Sequence, residues 1–245
     1  MNLPAQIIRF LEQLELHKIF LIEWENPLLN RLGYPLVVQD DLFFLVPDDQ
    51  LHTVEKLAAD FGYHAADRES LRPKYPSEEC NRSLRYVIPD SDKGKSRYNI
   101  NPLHRVVLVP LSWTGISRDE AVLLDASAYN LPCTIYTVPV SVACTAFVRI
   151  LSHEKRRGTL RMNILDSLCG VIAYHYFDMS QEGDYLEIPP DDQPWSEKEV
   201  LEMNNAVNSL KGWEMKEGEE WIRSDLIKAM TGAMSYDGLA LPRII

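Results

Sequence analysis

The sequence predicts an α+β fold: a small mixed β-sheet flanked by helices, followed by a helical carboxyl half. Three observations carry this prediction. Helix-spaced and strand-like apolar patterns alternate through the first 140 or so positions. The run Leu42-Phe-Phe-Leu-Val46 is apolar throughout, as suits a strand buried on both faces. Beyond Pro139 come two long apolar helical patterns and no further strand-like run.

The elements follow in order. Leu3 to Leu16 carries apolar residues at 7, 8, 11 and 14, which is helical spacing, and His17 to Glu23 is a short β-rich run. Asn26 to Gly33 reads as a two-turn helix with Asn26 as N-cap, Pro27 at the first helical position and Gly33 as the stop. After the strand Leu42–Val46, a helix is predicted from Pro47 to Phe61. Asp48 and Asp49 would complement its dipole and Gly62 would close it. Asp67 to Pro102 lacks periodicity and is predicted to be a long excursion with a hairpin around Asp90–Lys95. Strands are expected at Arg105–Pro110 and Cys133–Val138, and helices at Pro139–His153 and Leu160–Phe177. Ser196 and Glu199 form a capping box before another helix, and a last one runs from Glu219 to Thr231. The predicted boundary lies between Asp125 and Pro139, giving an α/β domain over 1–138 and a helical domain or extension over 139–245.

At 245 residues the chain is long enough to bury a full core, and 46% hydrophobic with 25% charged residues excludes disorder throughout. The segment Leu3–Leu16 carries Arg9, Glu12 and Glu15, so it reads neither as a signal peptide nor as a membrane span. The four cysteines, Cys80, Cys133, Cys144 and Cys169, lie far apart without a metal-binding spacing. Reduced thiols and a cytoplasmic location are the expectation.

A net charge of -11 argues against general nucleic-acid binding. The charge is uneven: Arg68 to Arg118 holds ten Lys/Arg against five Asp/Glu, whereas Asp178 to Asp225 holds fourteen Asp/Glu against four Lys/Arg. The basic centre either receives an anionic ligand or docks the acidic tail. Arg82, Arg85 and Arg97, interleaved with tyrosines, are candidates to grip a phosphate or acidic group, with Arg105 beside them. Asp40 and Asp41, at the mouth of the Leu42 strand, are candidate metal or catalytic carboxylates. His104 is a candidate acid-base group. For Asp40, Asp41 and His104 alike, solvated surface residues are the competing reading. His175, on an apolar helix, is expected to be a satisfied core histidine.

A helix, a strand, a short helix and a strand with an acidic mouth resemble the minimal nucleotidyltransferase fold. The segment Leu45-Val-Pro-Asp-Asp-Gln-Leu51, followed by Leu57-Ala-Ala-Asp-Phe-Gly62, is most similar to the fungal and AbiEii-like proteins of that superfamily. The resemblance spans roughly residues 1 to 140 and rests on about forty of them. It implies three catalytic parts: a Gly-Gly or Gly-Ser pair opening the first helix, an Asp-x-Asp pair on the next strand, and a third acid on a later strand. Together these hold two divalent metals.

This chain departs at each point. Its first turn is Glu23-Trp-Glu-Asn-Pro27, without glycine, where Trp24 would crowd a phosphate and Glu23 and Glu25 would repel one. The acid pair is reduced to Asp41-Leu-Phe43, and Leu103 to Pro110 contains no acid. The expectation is therefore a pseudoenzyme that binds a small molecule or a protein partner through Trp24, Asp40, Arg82, Arg85, Arg97 or Arg105. No cofactor, nucleic acid or membrane is expected, and the oligomeric state is left open. One alternative is an active enzyme using Mg2+ and a nucleoside triphosphate, with Asp41 as metal ligand and a second ligand from elsewhere. Another is different chemistry on the same scaffold through His104 and Asp41.

Overall fold

The computed structural model describes residues 3–36, 41–66, 75–89, 103–125, 131–153, 158–177, 179 and 195–240. The predicted hairpin around Asp90–Lys95 lies outside them, as do Asp40 and Arg97. The fold is mixed α+β, with a six-stranded mixed sheet flanked by helices.

The strands are β1 (Leu21–Glu23), β2 (Leu42–Val46), β3 (Leu84–Pro89), β4 (Leu103–Pro110), β5 (Val122–Leu123) and β6 (Ile135–Thr137), in the order β3-β4-β2-β1-β6-β5. β2 runs antiparallel to β1 and parallel to β4, with Leu42 opposite Val106 and Val46 opposite Pro110. β3 and β5 form the two antiparallel edges.

Side chains alternate across this sheet and meet two separate apolar layers. Leu21, Leu42, Phe44, Val46, Val106 and Leu108 pack under α1 (Ala5–Leu16) and α3 (Leu51–Asp60). Ile22, Trp24, Phe43, Leu45, Val107 and Val109 face the other way, into the larger cluster. That cluster includes α2 (Asn26–Arg31), α5 (Val140–His153), α6 (Thr159–Tyr176), α7 (Glu197–Lys211) and α8 (Glu220–Met230). The continuously apolar sequence of β2 thus reflects burial on both faces. No helix among the described residues is long and apolar enough to cross a membrane.

Several local expectations are corrected. Ile8 is exposed, so the buried stripe of α1 is Ile7, Phe10, Leu11 and Leu14. Helix α3 begins at Leu51, and the two aspartates before it act as tertiary cross-links instead of dipole partners. Asp48 accepts from Arg82 at 2.9 Å and from the Ser112 backbone N–H at 3.0 Å, while Asp49 pairs with Arg118 at 3.0 Å. The aperiodic excursion contains a 3-10 turn, Pro76–Glu79, and the edge strand β3. Its register hides in sequence because Arg85 interrupts the apolar pattern. His175 is exposed, with its Nδ1 3.2 Å from the Leu32 carbonyl oxygen, because the last turn of α6 reaches past the core.

The capping box of α7 forms as read: Ser196 and Glu199 exchange hydrogen bonds, including Ser196 N–H to Glu199 at 2.6 Å. Tyr34 lies flat against α6 at Gly170, where an added Cβ would sit 2.2 Å from its ring. A Gly170→Ala variant should therefore be less stable by about 1–3 kcal/mol, through overpacking. Urea denaturation checks this, with a midpoint equal to that of the parent as the contrary outcome.

Candidate functional site

The sheet topology gathers one set of charged residues at a single end. Because β1 and β2 are antiparallel, the last residues of β1 lie beside the first of β2, and the Trp24 N–H donates to the Phe43 carbonyl at 3.0 Å. Because β2 and β4 are parallel with Leu42 opposite Val106, one further step of register sets Asp41 beside Arg105. Val87 of β3 pairs with Arg105 from the other side. The 3-10 turn Pro76–Glu79 packs against β4 and α6 and brings Ser77 and Glu78 to the same end.

All of these polar groups are buried. Glu78 is fully enclosed and pairs with Arg105, itself almost completely buried. The Glu78 carbonyl accepts from Arg85 Nη1 at 2.6 Å. Glu23 accepts from Arg31 and from the Thr137 hydroxyl. Glu25 accepts from the Ser77 N–H at 2.8 Å and the Ser77 hydroxyl at 2.6 Å. Burial pushes the Glu25 pKa up to about 7; the two Ser77 bonds pull it down, and the neighbouring Glu78 charge pushes it further up. Arg105 Nη2 and Trp24 Nε1 are buried without a hydrogen-bond partner.

The backbone at Glu25 is unusual. Its φ of 52 and ψ of -135 lie in a region that glycine occupies readily and L-residues rarely do. The helix α2 starts one residue before the predicted point, so Asn26 is its first residue, and Glu25 at the N-cap makes no side-chain cap bond. Its carboxyl is committed to Ser77 instead.

Apolar side chains fill the space around these charges. Phe43 is 0% exposed and packs on Tyr75 with ring centroids 4.8 Å apart. Trp24 is 1% exposed and packs on Phe147 at 5.2 Å. Among the described residues, no group of three or more His, Cys, Asp or Glu is placed to hold a metal ion.

Of the predicted site residues, the sheet brings Trp24, Asp41, Arg85 and Arg105 to this end. Arg82 lies elsewhere, in the turn before β3, bound to Asp48 and to the Ser112 hydroxyl at 2.6 Å. His104 takes its place in β4 opposite Ile88, with its side chain outside the described residues. Sequence reasoning missed Ser77 and Glu78, which sit in the aperiodic excursion, and treated Glu25 only as a repulsive charge. An arginine in β4 directly before the apolar run Val106–Val109 was the one signal that a buried acid had to be nearby.

Among the described residues, two surface cavities lie away from Asp41, Glu25 and Arg105. One of about 640 Å3 lies along β5 and β6, beside Leu123, Leu131 and Ile135. The other, about 420 Å3, lies between the sheet half and α6, lined by Asn81, Arg82, Trp113, Leu160 and Arg161.

In comparisons with known proteins, no family model matches this chain, and no curated protein matches it.

Proposed function

We propose that the chain is a nucleotidyltransferase-like protein that has given up metal-dependent nucleotidyl transfer and binds a small molecule or a protein partner. The observation that carries this reading is the burial of Phe43. Where the resemblance calls for a second metal-binding acid, the chain has an aromatic ring enclosed against Tyr75. Trp24 supports it in the same way, since the ring buried against Phe147 takes up the space that a phosphate cradle needs. Arg105, paired with Glu78, supplies an internal positive charge among carboxylates that would otherwise need a bound cation.

The groove between the sheet half and α6 is the binding surface this reading favours. It is concave and carries Trp113 for stacking, with Asn81 and Arg82, which Asp48 and Ser112 hold in place, among its polar lining. A thermal-shift screen against nucleotides, divalent metals and small metabolites tests it. The expected result is a stabilising metabolite or nucleotide whose effect needs no metal and is lost in Trp113→Ala. Stabilisation only by a metal–nucleotide pair would contradict it.

A further inference from the structure

The Glu25 side chain ties the segment that starts α2 to the Pro76–Glu79 turn, and two penalties attach to its conformation. Glu25 adopts φ 52 and ψ -135, so its backbone is strained. The residue is only 4% exposed, so its charged form has lost water. The burial penalty is relieved by rotation of the Glu25 side chain out of the turn and into solvent. Opposing that movement are the two Ser77 hydrogen bonds, at 2.8 and 2.6 Å.

We infer that Glu25 is a proton-operated latch, closed on Ser77 while its carboxyl is protonated and released when the carboxyl ionises. The surrounding charges are arranged for this. In the turn, Glu78 is the next residue after the Ser77 donor and repels an ionised Glu25. The compensating cation, Arg105 of β4, is committed to Glu78. Arg85 of β3 is turned onto the Glu78 carbonyl. On β1, Glu23 is held by Arg31 and Thr137. Asp41 precedes β2 at the same end and adds a further buried acid. From α6, which packs on the turn, Arg161 donates to the carbonyls of Leu151 and Leu239 at 2.9 and 2.6 Å. Also from α6, Asp166 lies against Tyr34, and His175 lies at the Leu32 carbonyl.

The direction with pH follows from linkage. A closed-state pKa near 7 against an ordinary 4.5 means that the closed state binds the proton more tightly than the open one. Closure is therefore strongest below about pH 4.5, weakens as pH rises towards 7, and levels off above that. The latch concerns the bare chain and holds whether or not the groove beside α6 binds a ligand.

Hydrogen exchange of the full chain from pH 4.5 to 8.5, corrected for intrinsic rates, tests it. Peptides covering residues 75–80 should lose protection by up to roughly two orders of magnitude as pH rises to about 7, then hold steady. Glu25→Gln, which stays neutral and keeps an acceptor for Ser77, should show constant protection over the whole range. Ser77→Ala removes a bond that favours the ionised form, so its plateau should begin at higher pH. A flat profile in the parent chain, the same fall in Glu25→Gln, or an unmoved plateau in Ser77→Ala would each overturn the latch.

Discussion

Replacing Arg105 with methionine is expected to lower the free energy of unfolding by about 3–5 kcal/mol, with an unchanged denaturant slope. The guanidinium pairs with Glu78, and both side chains are almost wholly removed from water. Deleting the cation takes the Arg105 partner from a fully buried Glu78 carboxylate, and that penalty dominates the loss. Methionine keeps much of the volume, so lost packing contributes less. The double variant Arg105→Met, Glu78→Leu removes both charges together and should recover most of the loss. Urea denaturation of the two singles and the double gives the coupling directly. A loss below about 1 kcal/mol in Arg105→Met would mean that water reaches the pair.

Phe43→Ala is expected to be as damaging, at about 3–5 kcal/mol, because the ring is enclosed and little around it can collapse into the space. Its neighbours are Tyr75 across the ring face, with Leu45, Val107 and the helical layer on the same side of the sheet. Phe43→Asp, which restores the acid that the resemblance calls for, should be worse than alanine. It would add a buried charge beside Asp41 and Glu78, with Arg105 already paired. Thermal and urea unfolding check both variants. An aspartate variant as stable as the parent would show that this position can be hydrated.

Much of the fold was legible because its signals are local. Continuous apolarity in Leu42–Val46 marks a strand buried on both faces, and the Ser196–Glu199 pair marks a helix start wherever it occurs. The site was less legible because its geometry comes from register. Asp41 and Arg105 are 64 positions apart in sequence and become neighbours only through the parallel pairing of β2 with β4. Ser77 and Glu78 sit in a segment whose sequence has no period to read. Asp48 and Asp49 had a plausible local role at a helix start, but partners from the turn before β3, α4 (Leu111–Thr114) and the turn at Arg118 claim them. The strained backbone of Glu25 had no sequence signal, since a glutamate there predicts ordinary dihedrals.

On the proposed reading, the acidic end of this sheet is a packed, internally paired polar core without a working metal–nucleotide site. Isothermal calorimetry with ATP and excess Mg2+ tests that claim most directly. The account predicts no binding heat attributable to this site, and no difference between the parent chain and Asp41→Ala. Micromolar binding that requires Mg2+ and disappears in a folded Asp41→Ala variant would contradict it.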